Sequence, residues 1–515
     1  MATVEGRLIS MTSLWLDRTD TFSGDDFHHG GKYDTVVVGA GLTGLVTALL
    51  LARSGQNVLV LEARSPGAVT TGNTTAKVTL LQGTVLSALR RQYPARMVDA
   101  YVAANREGQA WLLRYLESSN LPYQERDAYT YATTPQGAGI LRKELAVALA
   151  AGVEVDYLRN PGLPFPVHGA VRLRGQAQIN PMDAVLALAK DVRSHGGTVV
   201  TGVRVLNVSG TAPSTVETDH GAVRANSVVV ATGTPILNRG LYFAKLKPNR
   251  SYAAAMELAD STEPPDGMYL SVEQPVRSLR DYPADGRRLL LVGGNGHPVG
   301  QAGSEQAHLD ELLAWAHSHF PGATVTHTWS AQDYQSTNLM PFFGKLPRGR
   351  GRIFFATGYN KWGMTNAVAA SLGIAADILG GNLEWANTIH RRVTAPQGAV
   401  SAVTLNAGVA ATLAKDWARA GLQKLPQEGP APAEGTGSVA LRGRRPVATS
   451  TVNGTTCSLS AVCTHLGGIV HWNDNEKSWD CPLHGSRFSS DGTLLEGPAT
   501  RDLQPAAESG PEDRG

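Results

Sequence analysis

Two pairs of cysteine and histidine near the C-terminus have a spacing that can bind metal. The first pair is Cys463 and His465, with one residue between them, and the second is Cys481 and His484, with two residues between them. In such a set, two thiolates can hold one iron of a [2Fe–2S] cluster while two neutral imidazoles hold the other. Each pair comes from a separate segment, so the pattern indicates a metal centre held between two β-hairpin loops.

Zinc is the alternative, because two cysteines and two histidines also suit a tetrahedral ion. Zinc sites, however, usually pair C-x-x-C with H-x-x-x-H. The mixed C-x-H and C-x-x-H loops, with Leu466 and Gly467 in the first and Pro482 in the second, resemble the Rieske family closely. That resemblance implies a [2Fe–2S] cluster with four protein ligands: Cys463, His465, Cys481 and His484.

A glycine-rich turn near the N-terminus has the sequence of a dinucleotide-binding loop. Residues 34–44 read D-T-V-V-V-G-A-G-L-T-G, a buried strand that enters G-x-G-x-x-G and is followed by a helix. Gly39 permits the tight turn, Gly41 lets the backbone approach a pyrophosphate, and Gly44 lets the helix pack on the strand. A second strand ends at Glu62, whose carboxylate can accept hydrogen bonds from a ribose diol. The whole unit predicts a bound dinucleotide.

Five further segments carry a family resemblance: 13–17, 70–79, 231–235, 329–334 and 356–366. They resemble the D-amino-acid-oxidase-type flavoproteins, and within them the glycine-oxidase-like bodies that carry a C-terminal Rieske domain. The resemblance covers nearly the whole chain and implies that the dinucleotide is FAD. The FAD contacts that it implies are Gly39, Gly41, Gly44, Glu62, Thr75, Ala76, Lys77, Val205, Ala231, Thr232, Gly233, Gly358, Asn360, Gly363, Met364 and Thr365.

We expect the FAD to be bound non-covalently. Covalent flavin links in the family use a cysteine or a histidine. The chain has no cysteine before Cys457, and Asn73 stands where the family often has a histidine. Both departures from the family pattern favour a cofactor held by packing and hydrogen bonds alone.

Catalytic residues are harder to predict, because hydride transfer from an amine requires orientation rather than a nucleophile. The segment 358–365 precedes an alanine-rich helix, whose free N–H groups can face a flavin. Lys361 and Trp362 lie in this segment and are the candidate catalytic residues. Three further side chains are candidates for substrate contact by position only: Tyr252, Tyr269 and His297.

A second glycine run, residues 289–300, also follows a strand and precedes a helix and another strand. It could form an NAD(P) site, although Trp329 and Ser330 stand where a ribose-binding acid is expected. Pro298 also stiffens the run. The family resemblance instead assigns this segment to the substrate domain, beside the flavin.

Composition excludes several other classes of protein. The 515 residues contain 46 Lys plus Arg and 44 Asp plus Glu, a net charge of +2, so no overall field attracts nucleic acid. The most apolar stretch, residues 36–52, contains three glycines and is shorter than the about 20 residues of a membrane span. Three cysteines and a polar N-terminus without a signal peptide favour a cytoplasmic protein.

We predict an α/β fold with a Rossmann-type FAD-binding domain, an interleaved α+β substrate domain and a C-terminal all-β Rieske domain. The oxidoreductase body spans residues 33–395, and the segment 424–438 is a linker rich in proline and glycine. The predicted boundaries are an N-terminal extension at 1–32; FAD-binding segments at about 33–90, 170–240 and 330–395; substrate-domain segments at about 91–169 and 241–329; a helix and linker at 396–438; the Rieske domain at 439–505; and a disordered tail at 506–515.

These features predict an FAD-dependent oxidoreductase of the amine or amino-acid dehydrogenase or oxidase type. An amine or amino acid is oxidised by hydride transfer to the flavin, and a Rieske cluster passes the electrons to an external acceptor. The alternative is an NAD(P)H-dependent electron-transfer reductase that serves a partner oxygenase. The expected partners are therefore a small-molecule substrate and an electron acceptor, with no nucleic acid and no membrane span.

Overall fold

A computed structural model describes residues 2–4, 7–18, 21–259, 262–284, 286–392, 396–422 and 431–506. The helices in these ranges are α1 (Leu42–Arg53), α2 (Val85–Gln92), α3 (Ala95–Ser118), α4 (Pro135–Ala150), α5 (Pro181–Ser194), α6 (Glu305–His319), α7 (Gly363–Leu379), α8 (Glu384–His390) and α9 (Pro396–Leu422). The strands are β1 (Ala2–Val4), β2 (Arg7–Ile9), β3 (Lys32–Val38), β4 (Val58–Glu62), β5 (Lys77–Val78), β6 (Tyr123–Ala132), β7 (Val155–Leu158), β8 (Gly169–Ile179), β9 (Thr198–Thr201), β10 (Val205–Val208), β11 (Ser214–Thr218), β12 (Gly221–Val230), β13 (Leu246–Glu257), β14 (Met268–Ser271), β15 (Arg277–Ala284), β16 (Arg287–Pro298), β17 (Thr324–Ser336), β18 (Phe342–Lys345), β19 (Ile353–Thr357), β20 (Gly437–Arg442), β21 (Arg445–Val452), β22 (Thr455–Ser460), β23 (His471–Asn473), β24 (Ser478–Asp480), β25 (Arg487–Ser489) and β26 (Leu494–Glu496).

The first large sheet has a parallel centre. Its order is β10, β11, β12, β3, β4, β9, and β19 pairs with β12 and carries β18. Strand β3 pairs in parallel with both β4 and β12, and its valines 36–38 are buried on both faces, as is typical of parallel strands. The carboxyl ends of β3, β4 and β12 therefore lie at one edge of the sheet, where ligands bind in open α/β folds.

The second large sheet is mainly antiparallel, in the order β17, β13, β16, β15, β14, β6, β8, β5, with β7 beside β8. One face carries Ala253, Ala255 and Leu291 and packs into the core shared with α1 and α7. The opposite face carries Tyr252 and Val292 and packs against α6. The sheet therefore covers the ligand edge of the first sheet with one face and has its own helix on the other.

Two small antiparallel sheets form the C-terminal part. The first is β20, β21, β22 and the second is β23, β24, β25, β26. Helix α9 packs on them through Val409 and Leu413, and Asp416 on this helix lies 3.0 Å from the His471 imidazole. The α/β body with an all-β C-terminal domain agrees with the fold class predicted from the sequence.

Two segments differ from or extend the expected organisation, and two others lie outside the described residues. Residues 170–179, which we assigned to the FAD-binding part, form β8 of the second sheet because they pair with β6. The N-terminal extension contributes to the core, since Trp15 is 1% exposed and its indole N–H donates to the Thr74 carbonyl at 2.6 Å. Residues 424–430 of the predicted linker, with residue 423 before it, and residues 507–515 of the predicted tail lie outside the described residues.

No single helix in the described ranges is long and apolar enough to cross a membrane. Helices α7 and α8 meet the length and composition criterion only when taken together, and they are bent by 96° to each other.

Candidate redox site

The two loops that carry the predicted metal ligands have the same backbone hydrogen bonds. Cys463 N–H donates to the Gly468 carbonyl, and Gly467 N–H donates back to the Cys463 carbonyl. In the second loop, Cys481 N–H donates to the Ser486 carbonyl, and Gly485 N–H donates to the Cys481 carbonyl. Gly467 and Gly485 have φ of 75° and 82°, a left-handed conformation that favours glycine. The two loops are therefore matched turns that present their side chains to a shared space.

The four predicted ligands converge between these loops. The thiols of Cys463 and Cys481 lie within hydrogen-bonding distance, and both side chains are buried. The rings of His465 and His484 lie 5.1 Å apart, centroid to centroid. Burial lowers the pKa of each imidazole to about 4, so both are neutral near pH 7 and can donate a lone pair to a metal. Cys457 lies on β22, outside the loops.

The arrangement suits two irons better than one ion. Among the described residues, no three His, Cys, Asp or Glu side chains form a group that could hold a single metal ion. A tetrahedral zinc site requires at least three protein ligands around one point. In a Rieske cluster each iron takes only two protein ligands, one iron from the cysteines and the other from the histidines. The donor set and its spatial division therefore fit a [2Fe–2S] cluster.

The dinucleotide loop lies where the sequence predicts. Gly39 has φ of 104°, and a Cβ there would approach the Ala231 carbonyl oxygen to 2.6 Å. A Cβ on Gly44 would lie only 1.9 Å from the Gly39 carbonyl oxygen, because α1 packs directly on the turn. Gly41 is the N-cap of α1 and has no side chain, so a phosphate can approach this helix end, where the Leu42 N–H donates to Thr71 Oγ1 at 3.3 Å. The three glycines thus form a cradle that larger residues would fill.

A cleft with an empty volume of about 1450 Å³, part of it open to solvent, begins at this loop. Its chemistry fits FAD, with glycines at the pyrophosphate position and the acid Glu62 at the ribose position. The predicted cofactor residues that line it are Gly39, Gly41, Glu62, Val205, Ala231, Thr232, Gly233, Gly358, Gly363 and Met364.

The remaining predicted cofactor residues do not line the cleft: Gly44, Thr75, Ala76, Lys77, Asn360 and Thr365. Thr365 instead donates to Asn105 Oδ1 in a buried polar network. The Lys77 ammonium bonds the hydroxyls of Thr75 and Ser278. Burial and the nearby Arg280 charge lower the pKa of Lys77 to about 7.

Glu62 lies at the end of β4 in the position predicted for ribose binding. Its two oxygens accept the backbone N–H groups of Ala40 at 2.8 Å and Arg64 at 2.9 Å. Burial raises the pKa of this carboxyl, and the two N–H donors oppose the rise. These bonds fix the carboxylate at the cleft surface, where each oxygen keeps a second lone pair for a ribose hydroxyl.

Both candidate catalytic residues lie in the turn before α7, and one of them lines the cleft. Lys361 lines the cleft, and its ammonium contacts the Ser251 hydroxyl. Trp362 precedes α7 and is not among the residues that line the cleft. Asp333 and Tyr334 also line it, and we did not single them out from the sequence, although they fall in a segment that carries the family resemblance.

Residues of the C-terminal domain also line this cleft, which the sequence does not predict. They are Leu495, Glu496, Gly497, Ala499 and Thr500. A second cavity, of about 940 Å³, lies against His465, and Ile236, Ala499 and Thr500 line both spaces. The predicted cluster and the predicted FAD site therefore share boundary residues.

Two body residues join the second ligand loop to the cleft. The Gln332 side-chain amide donates to the Gly485 carbonyl and to the Tyr334 hydroxyl, both at 2.8 Å. Tyr334, which lines the cleft, donates in turn to the Gly497 carbonyl at 3.2 Å. On the first loop, His465 Nε2 lies 3.2 Å from Asn238 Oδ1.

A buried ion network holds the two domains together. Arg250 on β13 is 1% exposed, and its guanidinium lies 2.7 Å from Glu476 and 3.8 Å from Asp480 of the C-terminal domain. Arg487 pairs with both of these acids. The Ser330 hydroxyl donates to Glu476 at 2.6 Å. Removing one member would therefore leave a buried charge without its opposite charge, which is costly.

The second glycine run forms a strand rather than a loop. Gly293 and Gly294 lie within β16, paired with β13 on one side and β15 on the other. A strand with both neighbours has its N–H groups engaged in pairing, so it offers no phosphate cradle of the kind found at a helix N-terminus. The candidates for substrate contact Tyr252 and Tyr269 lie in the core under α6, and His297 bonds the Tyr252 hydroxyl, away from the cleft.

The sequence matches the FAD dependent oxidoreductase (DAO) family over residues 34–376. The chain therefore belongs to this family, and it is an FAD-dependent oxidoreductase. Residues 427–507 match the Rieske [2Fe-2S] domain, so the second cofactor is a [2Fe–2S] cluster. Both resemblances inferred from the sequence are confirmed.

One curated protein is similar to this chain over nearly its whole length, and another is similar over a short segment. The Rieske 2Fe-2S iron-sulfur protein YhfW of Bacillus subtilis (strain 168) is 29% identical over 505 residues, 96% of this chain and 97% of that protein. The cytochrome b6-f complex iron-sulfur subunit of Synechococcus sp. (strain JA-3-3Ab) is 50% identical over 46 residues, 9% of this chain and 27% of that subunit.

Solved structures are similar to the oxidoreductase body. Glycine oxidase from Geobacillus kaustophilus has a TM-score of 0.58 at 19% identity and covers 69% of this chain and 96% of its own. L-proline dehydrogenase from P. horikoshii has a TM-score of 0.59 at 16% identity with the same coverage. These likenesses show the fold of the body and confirm the predicted fold class.

We expect Gly44→Ala to lose FAD. Its Cβ would collide with the Gly39 carbonyl, so α1 has to move away from the turn and take its N-terminal N–H groups with it. FAD affinity should fall at least tenfold, or about 1.4 kcal/mol. Bound flavin per chain and FAD titration measure this. Gly139→Ala is the matched control, because its Cβ would meet nothing within 4 Å. Equal FAD affinity in the two variants would contradict the proposal that the glycine loop binds FAD.

Metal analysis tests the cluster assignment. We expect the purified protein to contain iron and acid-labile sulfide in equal amounts, and to show a rhombic electron paramagnetic resonance signal after reduction. Stoichiometric zinc without iron would overturn the assignment.

Acid precipitation tests the mode of FAD binding. None of the residues that line the cleft in the described part of the chain is a cysteine or a histidine. We therefore expect all of the FAD to appear in the supernatant. Yellow colour that remains with the precipitated chain would show a covalent link.

Proposed function

We propose that this enzyme oxidises an amine or an amino acid at its FAD and passes the electrons through its own Rieske cluster to an external one-electron acceptor. FAD, when bound, accepts a hydride and can be reoxidised one electron at a time. Cys463, Cys481, His465 and His484 are the proposed ligands of the cluster. The predicted residues that line the cleft are the proposed FAD contacts.

The observation that carries the proposal is the position of the C-terminal domain. Its residues Gly497, Ala499 and Thr500 form part of the surface of the FAD cleft, so the two cofactor sites adjoin within one chain. The ion network around Arg250 joins the two domains next to this contact. An arrangement of this kind favours transfer inside the molecule over transfer from the flavin to a diffusing acceptor.

The substrate class is supported by similar proteins and by the cleft itself. Glycine oxidase and L-proline dehydrogenase, whose names give amino acids as substrates, share the fold of the body. In the cleft, Lys361 and Asp333 supply polar groups next to the N-terminus of α7. These groups can orient a small polar molecule beside the cofactor, and orientation is the main requirement of hydride transfer from an amine.

An anaerobic screen tests the proposal. Amines, amino acids and NADH are each mixed with the oxidised enzyme, and the flavin and cluster absorbances are followed separately. We expect an amine or amino acid to bleach the flavin and then the cluster, and NADH to bleach neither quickly. Rapid bleaching by NADH, with no response to any amine or amino acid, would replace this proposal with the reductase alternative.

A further inference from the structure

One carboxylate in the cleft lacks a full set of hydrogen-bond partners. Asp333 lies on β17 and lines the cleft beside Lys361. It accepts the Lys361 backbone N–H, but its Oδ2 has no partner among the described residues. Burial raises the pKa of this carboxyl, and the Lys361 charge opposes the rise. A partly satisfied carboxylate in such a place costs free energy unless a ligand supplies the missing donor.

The backbone beside Asp333 is held in an unfavourable conformation. Asn360 and Lys361 are consecutive non-glycine residues with φ of 48° and 69°. Each such residue costs about 1 kcal/mol or more, and such positions concentrate at functional sites. The Asn360 N–H donates to the Tyr334 carbonyl at 3.1 Å, which fixes the turn on β17 next to Asp333. Placing Lys361 beside Asp333 therefore costs conformational free energy.

The Lys361 ammonium has a partner other than Asp333. It contacts the Ser251 hydroxyl, and a Cβ on Gly296 would lie 2.9 Å from it. Lys361 acts on the Asp333 carboxyl through its charge and its backbone N–H. The two opposite charges are thus adjacent but separately available to a ligand.

Three other charged residues on the cleft surface, Glu62, Glu496 and Arg204, have partners within the protein. Glu62 bonds backbone N–H groups at the glycine loop, and Glu496 lies 3.7 Å from Arg487. Arg204 donates to the Leu494 carbonyl at 2.9 Å. At the α7 end of the cleft, Asp333 is the acid that remains incompletely bonded, so a cationic donor is the ligand chemistry that this end lacks.

We propose that Asp333 binds the cationic nitrogen of the substrate and selects for an ammonium group. This inference rests on the proposed function, and it identifies the feature of an amine or amino acid that the enzyme recognises. A zwitterionic amino acid would also place its carboxylate near Lys361. A simple amine would bind to Asp333 alone, and Lys361 would keep its contact with the Ser251 hydroxyl.

Ligand titration of the holoenzyme under argon tests the proposal. The probes are butylammonium, butyrate and 2-aminobutyrate, and the readout is the change in flavin absorption on binding. We expect butylammonium and 2-aminobutyrate to bind and butyrate to bind at least tenfold more weakly. Asp333→Asn should weaken both cationic probes at least tenfold. Asp333→Glu, which keeps the charge, should retain part of the affinity.

Asp99→Asn is the matched control, because it makes the same chemical change at an exposed position on α3. It should bind all probes as the parent protein does. Unchanged affinity of Asp333→Asn for butylammonium, or no response of the parent protein to either cationic probe, would overturn the proposal. Loss of FAD from Asp333→Asn, with normal probe binding in the remaining holoenzyme, would also overturn it, since Asp333 would then serve the cofactor.

Failure of this inference is distinguishable from failure of the proposed function. If amines bleach the flavin of Asp333→Asn and of the parent protein at equal concentrations, only the role of Asp333 is wrong. If NADH bleaches the flavin and no amine does, the proposed function itself is wrong.

Discussion

Cys481→Ala in the full-length protein is expected to abolish electron transfer to cytochrome c while leaving flavin reduction by substrate intact. Cys481 is 2% exposed and is one of the two thiolates available to the cluster. Its loss leaves one iron with a single protein ligand, so the cluster should not assemble. Turnover with cytochrome c should fall at least about 100-fold. Iron content, flavin bleaching and cytochrome reduction are measured on the same preparation.

Cys457→Ala is the control for this change. It removes the same side chain from β22, outside both ligand loops, and should keep the cluster and full turnover. A point variant is preferable to removal of the domain, because the domain supplies part of the cleft surface. If Cys481→Ala loses its iron and still reduces cytochrome c at the parent rate, the cluster is not the electron outlet.

Arg250→Leu is expected to destabilise the junction between the domains by about 3–5 kcal/mol. The variant leaves Glu476 and Asp480 buried, with Arg487 alone opposing both of them and Glu496. Thermal unfolding should show release of FAD and loss of the cluster absorbance at a lower temperature than in the parent protein. Both signals should shift together, since the C-terminal domain forms part of the FAD cleft.

Arg174→Leu is the matched control for the Arg250 variant. Arg174 also pairs with an acid, Asp156 at 3.3 Å, but its side chain is 69% exposed. Exposed pairs contribute about 0–1 kcal/mol, so this variant should unfold close to the parent temperature. Equal shifts for the two arginine variants would show that the buried network does not hold the domains.

Short-range patterns predicted much of this molecule because each has a local physical cause. The ligand loops follow from Cys-x-His and Cys-x-x-His together with Gly467 and Gly485, whose positive φ closes both turns. The glycine loop follows from the steric limits at Gly39 and Gly44. In both cases the residues that determine the structure lie within a few positions of each other.

Contacts between distant parts of the chain were not predicted. Arg250 and Glu476 are 226 residues apart, and the residues around them do not predict an ion pair. A linker of 15 residues restricts the Rieske domain only to within about 50 Å of the body. The packed interface, with Thr500 on the surface of the FAD cleft, comes from side-chain complementarity that spacing does not reveal.

The second glycine run shows the limit of a local pattern. Residues 289–300 have the strand, glycines and following helix of a nucleotide loop. Pairing on both sides of β16 keeps Gly293 and Gly294 extended, so the turn does not form. Asp333 was also missed, because a single acid in a strand is ordinary in sequence and becomes notable only through its unpaired oxygen and its place in the cleft.

Transfer of electrons from the flavin to the cluster of the same chain is the central claim. The most direct measurement reduces the flavin of the holoenzyme with a light pulse under argon and follows the cluster absorbance over a range of protein concentrations. The account predicts that the cluster becomes reduced after the flavin, at a rate that does not change with protein concentration, because the two sites adjoin in one molecule. A cluster that stays oxidised beside a reduced flavin, or a rate that rises in proportion to protein concentration, would contradict it.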